Sequence, residues 1–134
     1  MITNNWLYNE EPYLEPGEFY GFVYCITNLL SGKQYIGKKF FWSTKRKQVN
    51  KVRKRYKVES DWKEYWSSSD ELKEDVRTIG TENFKREIIH LCKNKGMTNY
   101  LEAKEQFLRE VLEHRDQWYN SWIQVKVHRS HVKF

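Results

Sequence analysis

The sequence is poor in cysteine, proline and glycine: its 134 residues include two cysteines, two prolines and six glycines. Two cysteines exclude a disulfide framework and a zinc site built on cysteine. Cys25 and Cys92 each have an apolar neighbour, which predicts buried thiols in a reducing compartment. No run of about 18 apolar residues is present, which excludes a membrane-spanning helix. The first residues lack a basic region followed by an apolar stretch, so we expect no secretory signal.

Acidic residues are absent from residues 38–57, where ten lysines and arginines give a charge of +10, more than the +6 of the whole chain. Residues 1–20 hold four glutamates and no base, and the last fourteen residues add three bases and no acid. Aromatic residues are interleaved with the basic block: Phe40, Phe41, Trp42 and Tyr56. This pattern is typical of a surface that binds nucleic-acid phosphates.

The alternatives for the basic block are a solvated loop and a patch for an acidic protein or a membrane surface. A membrane surface is disfavoured because no leucine-rich amphipathic face accompanies the charge. The candidate nucleic-acid-binding residues are Lys39, Lys45, Lys47, Lys51, Arg53, Lys54, Arg55, Lys57 and, near the C-terminus, Arg129.

Residue patterning predicts a small α+β domain. β-forming residues at 22–26 and 33–37 flank a turn-like stretch at 28–32, which predicts a hairpin. A β-rich stretch at 84–92 predicts a third strand, and residues 123–127 are compatible with a short terminal strand. We expect the basic block to be part loop and part helix.

Two helices are predicted. Ser68 and Glu71 form a capping-box pattern, and apolar residues then recur at helical spacing up to Gly80, which predicts a helix of about ten residues. Thr98 or Asn99 is expected to cap a second, longer helix. The apolar stripe of that helix would consist of Leu101, Leu108 and Leu112, with Tyr100, Phe107 and Val111 beside it.

Glu105 is predicted at the edge of this stripe, because it comes four residues after Leu101 and three before Leu108. An unpaired carboxylate there is costly, and a metal ion or a basic partner would offset that cost. From the helix alone, the alternative is a rim residue that pairs with a nearby lysine or arginine. Glu102 and Glu110 are expected to face solvent.

Two tyrosines, Tyr24 and Tyr35, lie on the two strands of the predicted hairpin and would be close to each other across it. Tyrosines on strands commonly serve only in packing, so this pair alone does not define a site.

The two tyrosines belong to a longer series of motifs. Phe22-Val23-Tyr24 and, after ten residues, Tyr35-Ile36-Gly37 resemble the two signature tripeptides of the GIY-YIG nucleases. Later segments are similar, in the same order, to those of phage-type GIY-YIG homing endonucleases: Trp62-x-x-Tyr65-Trp66-Ser67-Ser68-Ser69, Gly80-x-x-x-Phe84-x-x-x-Ile88, Glu105-Gln106-Phe107 and Tyr119-Asn120. The resemblance covers residues 20–122.

The sequence departs from the family pattern at two places. Phe22 stands where the first tripeptide has glycine, and Lys45 stands where the family has an arginine. Arg46 is the first candidate for the role of that arginine, with Arg53 or Arg55 as the alternative. The residue type matters because the planar fork of arginine can hold a phosphate through two hydrogen bonds and lysine cannot.

The resemblance implies a central three-stranded antiparallel sheet flanked by helices, and metal-dependent hydrolysis of a DNA phosphodiester. Glu105 would bind Mg²⁺, with Mn²⁺ as the alternative ion. Tyr35 would accept a proton from the attacking water, and the charge of Lys38 would lower the pKa of that phenol.

The remaining site residues implied by the resemblance are a tyrosine, an arginine and an asparagine. Tyr24 would orient the water or the phosphate, and Arg46 would clamp the scissile phosphate. Asn120 would bind a phosphate or position the glutamate.

The chain is expected to consist of an acidic and aromatic lead-in packed on the domain (1–20), a nuclease domain (21–122) and a basic C-terminal strand or tail (123–134). The expected partner is DNA, not a membrane, and the protein would be a monomer or weak dimer in the cytoplasm of a bacterial or phage-infected cell. Fourteen residues after Asn120 leave no room for a separate DNA-reading module. The chain would then be a stand-alone nuclease or the catalytic fragment of a longer protein.

Two other function classes stay open from the sequence. One is a non-catalytic nucleic-acid-binding module on the same scaffold, and the other is a basic adaptor for an acidic protein.

Overall fold

The computed structural model describes residues 4–132, apart from the side chain of Val49. The strands are β1 (Leu7–Tyr8), β2 (Glu11–Pro12), β3 (Gly21–Asn28), β4 (Gln34–Phe40), β5 (Trp42–Val49), β6 (Val52–Glu59) and β7 (Phe84–Cys92). The helices are α1 (Asp70–Ile79) and α2 (Lys95–Leu108), with short 3-10 helices at Trp62–Glu64, Thr81–Asn83 and Arg129–His131. One sheet has the order β2-β1-β7-β3-β4, and β5 and β6 form a second, two-stranded sheet.

The main sheet is mixed and has five strands, so the expected three-stranded antiparallel sheet corresponds only to β7, β3 and β4 at one side of it. Strand β3 pairs antiparallel with both β4 and β7, as predicted for the hairpin and the third strand. The lead-in adds β1, which is parallel to β7, and β2, which pairs with β1. Strands of two residues are too short to show an alternating pattern, which is why the sequence did not reveal them.

Strand β3 is buried on both faces and separates two hydrophobic clusters. One cluster contains Trp6, Phe22, Tyr24, Ile26, Phe41, Trp62, Leu72, Val76, Phe84, Ile88 and Tyr119. The other contains Val23, Cys25, Ile36, Cys92, Val111 and Trp118. Both thiols are therefore buried as predicted, and burial raises the pKa of Cys25 to about 11.

The basic block forms a β-ribbon rather than a loop and a helix. Strands β5 and β6 pair along their whole length, and Asn50 and Lys51 at the tip have φ angles of 51° and 64°. Two successive positive φ angles are the signature of a two-residue hairpin turn. The sequence hid this hairpin because its strands are mostly charged and so lack an apolar period.

The ribbon is joined to the main sheet by a single residue. Phe41 alone separates β4 from β5 and is completely buried. Ser60 closes the base of the ribbon, since its backbone N–H donates to the Phe41 oxygen at 2.8 Å and its hydroxyl donates to the Phe40 oxygen at 2.6 Å.

Helix α1 has the predicted length, but its cap lies one residue later than expected. The side chain of Ser69, not Ser68, accepts a hydrogen bond from the Leu72 N–H. Helix α2 begins earlier than expected, with Asn94 as its cap, and it ends at Leu108. Thr98 and Asn99 therefore lie inside the helix.

The predicted apolar stripe of α2 is only partly correct. Leu101 packs against the second cluster and Val111 is buried in it, whereas Phe107, Leu108 and Leu112 are exposed. The buried residues of the helix itself are Thr98, Ala103 and Gln106. Two of the buried residues are polar because they have backbone partners: the Thr98 hydroxyl donates to the Asn94 oxygen, and the Gln106 amide donates to the Ile36 oxygen. Buried polar groups with such partners do not appear in an apolar pattern.

Residues 123–127 do not form the expected terminal strand; Ile123 packs instead against the second cluster. Along residues 4–132, no helix combines the length and the apolar character needed to cross a membrane.

Candidate active site

An open cleft of about 460 Å³ lies beside β4, which is the last strand of the main sheet. Its lining includes side chains that can take part in chemistry: Tyr24, Tyr35, Lys38, Tyr65, Ser68, Glu102 and Gln106, and at the start of α1 the carboxylates Asp70 and Glu71. Three of the predicted catalytic residues are therefore brought together here, namely Tyr24, Tyr35 and Lys38.

Gly37 allows the two signature tyrosines to approach each other. The register of β3 and β4 places Gly37 opposite Tyr24, and a Cβ atom on Gly37 would lie 2.4 Å from the Tyr24 hydroxyl. Any side chain here would push Tyr24 away, so the glycine is needed for the close approach. The rings of Tyr24 and Tyr35 are 6.2 Å apart as a result.

The phenols of the cleft are protonated at neutral pH. Burial raises the pKa of Tyr24 well above its usual value of 10.0. Burial also raises the pKa of Tyr35, although the hydrogen bond between Tyr35 and Ser68, 3.1 Å long, acts in the opposite direction. Tyr65 lies edge-on to Tyr24 at 6.1 Å, and burial raises its pKa as well.

Lys38 interacts with helix α2 instead of lowering the pKa of Tyr35. Its ammonium donates to the Asn99 side-chain oxygen at 2.5 Å and lies 3.6 Å from a carboxylate oxygen of Glu102. Burial raises the pKa of Glu102, and the charge of Lys38 partly counteracts this effect. The prediction that Glu102 faces solvent is wrong, since only 15% of its side chain is exposed.

The oxygen donors of the cleft suit a hard divalent cation. Glu102 and Gln106 are four residues apart on α2, and both line the cleft. The Gln106 side-chain oxygen is buried and has no hydrogen-bond partner among the described residues. Among the described residues, no group of three or more His, Cys, Asp or Glu side chains is arranged so that it could hold a metal ion. Mg²⁺ fits such a site because it takes few protein oxygens and keeps water or substrate in its other positions.

Glu105 does not line the cleft. Its carboxylate lies 3.1 Å from Arg109 on the same helix and 3.5 Å from His90 on β7. This is the paired rim residue that the helix pattern left as the alternative. The structure therefore gives no support for Glu105 as the metal ligand, and the carboxylate beside the tyrosines is Glu102.

Asn120 is buried alongside β4, next to residues whose backbone pairs with Gln34, and both of its side-chain hydrogen bonds go to that strand. Its oxygen accepts from the Ile36 N–H at 3.1 Å, and its amide donates to the Ile36 oxygen at 2.8 Å. Gln106 donates to the same oxygen at 3.0 Å. Asn120 therefore fixes the strand between Tyr35 and Gly37.

We expect Asn120→Asp to destabilise the protein by roughly 3 kcal/mol at neutral pH, because a buried carboxylate would face the Ile36 oxygen without a donor. The pKa of the new carboxyl should be higher in the folded state than in the unfolded state. The loss of stability relative to the wild type should therefore be complete above that folded pKa and should shrink as the pH falls through it. Urea unfolding of variant and wild type across the acid range measures this, and a deficit independent of pH would contradict it.

Apart from Lys39, which is on β4, Arg46 and the other predicted phosphate-binding residues of the basic block lie on the ribbon, outside the cleft. Among residues 4–132, no arginine lines the cleft. Lys39 lies at the foot of the ribbon, 2.7 Å from Asp61 and over the Tyr65 ring. Arg129 lies in the last 3-10 helix, where it is exposed.

The cleft residues that the sequence did not identify include Tyr65, Ser68, Glu102 and Gln106. Tyr65 and Ser68 belong to one of the motifs that carry the family resemblance, which was the available signal. Glu102 and Gln106 gave no signal because they are polar residues of a helix face that was sought among apolar ones.

Alkaline pH is expected to destabilise the protein. Burial raises the pKa of Tyr119 to about 12, and its hydroxyl donates to Asp75 at 2.7 Å. A folded pKa above the unfolded value means that the stabilisation is complete below about pH 10 and is lost as the pH rises towards the folded value. Urea midpoints should fall over this range, and less so for Tyr119→Phe, which cannot ionise. Equal slopes for the two proteins would contradict this.

A hairpin brings two tyrosines together over a glycine, and a glutamate lies on the helix beside it. This arrangement is the one expected of a GIY-YIG domain. The family model described as "Putative endonuclease segE, GIY-YIG domain" matches residues 6–123. Because this match covers most of the 134 residues, the chain belongs to the segE family of GIY-YIG endonuclease domains. The searches of curated proteins and of solved structures give no significant match.

Proposed function

We propose that the protein is a metal-dependent DNA endonuclease that hydrolyses phosphodiester bonds in the cleft beside β4. The observation that supports this most directly is the convergence of Tyr35 and Lys38 from β4 with Glu102 from α2 on one open cleft. Membership of an endonuclease family supports hydrolysis, and the basic ribbon supports a polyanionic substrate.

In this proposal Tyr35 accepts the proton of the attacking water. Only the phenolate can accept this proton, and because burial raises the pKa of Tyr35, the phenolate is the minor form at neutral pH and its share grows as the pH increases. Burial raises the pKa of Tyr24 well above its usual value, so Tyr24 stays protonated and would orient the water through its hydroxyl at the wall of the cleft.

Lys38 is the candidate for binding the scissile phosphate, because its ammonium is the cation of the cleft closest to Glu102. The arginines of the ribbon would bind phosphates outside the cleft. This assignment takes the place of the expected arginine clamp at Arg46.

Glu102 and the side-chain oxygen of Gln106 would hold Mg²⁺ or Mn²⁺. When bound, such an ion stabilises negative charge on the phosphate and on the leaving oxygen. Lys38, whose ammonium contacts Glu102 and Asn99, would be the cationic group available to bind the phosphate.

Incubation with supercoiled plasmid DNA tests the proposal. We expect nicked or linear plasmid with Mg²⁺ or Mn²⁺ and intact plasmid with EDTA. Cleavage in EDTA would contradict metal dependence. Intact plasmid with either metal, together with retention of DNA at low salt and release at higher salt, would favour a non-catalytic binding module.

A further inference from the structure

The two faces of the ribbon carry different side chains. Residues directly opposite each other in an antiparallel pair lie on the same face, and successive residues alternate. The register pairs Arg46 with Arg55 and Gln48 with Arg53 on one face, which we name the arginine face. On the other, the lysine face, Lys45 is opposite Tyr56 and Lys47 is opposite Lys54.

This segregation is complete for the arginines and for glutamine. All three arginines and the only glutamine of residues 42–59 lie on the arginine face, together with Lys57 near the base. The three lysines in the middle of the strands, Lys45, Lys47 and Lys54, lie on the lysine face. The side chains from residue 44 to 48 and from residue 52 to 57 are exposed.

The fold itself does not explain this distribution. Like charges directly opposite each other destabilise a sheet, yet Arg46 faces Arg55 and Lys47 faces Lys54. Among the described residues, none of these four side chains forms an ion pair within the protein. Their counter-charge must therefore come from outside the molecule.

Arginine and glutamine are the side chains suited to reading base edges. Arginine donates two hydrogen bonds to the N7 and O6 atoms of guanine, and glutamine forms two hydrogen bonds with adenine. Lysine is a point charge on a flexible stem and serves chiefly to neutralise phosphate. The chemical difference between the two faces thus matches the difference between base reading and phosphate binding.

The dimensions of the ribbon select the groove. Two strands about 4.8 Å apart fit the major groove of B-form DNA, which is about 12 Å wide, but not an undistorted minor groove of about 6 Å. The major groove of double-stranded RNA is too narrow and deep for such an element.

We propose that the ribbon enters the major groove of duplex DNA with its arginine face on the base edges, and that the lysine face supplies sequence-independent phosphate attraction. This inference rests on the proposed function because both proposals take DNA as the ligand. It adds a sequence-recognition site on the ribbon, separate from the cleft. The protein would accordingly prefer short sequences that contain guanine and adenine.

Matched double variants test this proposal. Arg46→Ala with Arg55→Ala removes two charges from one cross-strand pair, and Lys47→Ala with Lys54→Ala removes two charges from the adjacent pair on the other face. Binding is measured by fluorescence anisotropy in EDTA, so that no cleavage is required and a failure of the nuclease proposal leaves this test intact. Circular dichroism and urea unfolding should show that both variants fold like the wild type.

Selection from a random duplex pool should give a short enriched sequence for the wild type and the lysine variant but not for the arginine variant. In the enriched duplex, replacing guanine with 7-deazaguanine removes the N7 acceptor from the major groove. We expect this to weaken the wild type and the lysine variant about fivefold or more and to leave the arginine variant unchanged. The lysine variant should instead bind all duplexes more weakly, with a salt dependence reduced by about two charges.

Three results would overturn the proposal: no enriched sequence for the wild type, equal sensitivity of both variants to 7-deazaguanine, or equal binding of double-stranded RNA of the same sequence. The last would show that the ribbon binds phosphates alone.

Discussion

Glu102→Gln should slow plasmid nicking by about a hundredfold or more, the scale expected when one charge-stabilising group is lost from an active site. The carboxylate is the charged oxygen donor of α2 that lines the cleft, and glutamine keeps its size while removing its charge. The variant should also lose any thermal stabilisation that Mn²⁺ gives the wild type, because a ligand that binds the folded state raises its stability.

Glu105→Gln is the matched control for this prediction. Glu105 lies on the same helix, and its side chain is 17% exposed compared with 15% for Glu102. Both substitutions remove one carboxylate charge: Glu102→Gln removes the pair with Lys38, and Glu105→Gln removes the pairs with Arg109 and His90. The cost to folding should therefore be no smaller for the control. Nicking by Glu105→Gln should stay close to the wild-type rate; a loss as large as that of Glu102→Gln would overturn the assignment of the site.

Tyr35→Phe is expected to reduce nicking by between about 10² and 10⁴, the usual contribution of a general base. Because the pKa of Tyr35 is raised, the wild-type rate should increase with pH throughout the neutral range. The residual rate of the variant should lack this dependence. Rates from plasmid nicking at a series of pH values measure both effects.

Tyr65→Phe provides the comparison, since Tyr65 lines the same cleft and is also partly buried. We expect this variant to nick plasmid less than tenfold more slowly than the wild type and to keep the pH dependence of the wild-type rate. If Tyr35→Phe kept the rising pH profile, its hydroxyl would be a positioning group and not the base.

The elements that the sequence predicted correctly are those with an apolar period or a clear terminus. Strand β7 and the pair β3 and β4 contain alternating or continuous apolar residues, and α1 ends at Gly80. The ribbon has neither signal, because it is held together by backbone pairing and its side chains interact with solvent. A period based on apolar residues cannot detect a strand that buries almost nothing.

The tyrosines of the site were predictable because each belongs to a short motif, whereas the glutamate was not. Glu102 and Glu105 are three residues apart, so nearly one turn of helix separates them. To choose between them, one must know which side of α2 packs on β4. That side is marked by the buried polar residues Thr98 and Gln106. The choice therefore depends on tertiary hydrogen bonds that no local pattern records.

The single buried residue between β4 and β5 sets the geometry of the proposed reaction. Tyr35 lies on β4, and Phe41 alone joins β4 to β5, the first strand of the ribbon. At the base of the ribbon, Ser60 is hydrogen-bonded to Phe40 and Phe41. Such a short and buried connection leaves the ribbon little freedom to move relative to the cleft. Under the two proposals, the protein would then cleave the DNA backbone at a constant number of base pairs from the sequence that the ribbon binds.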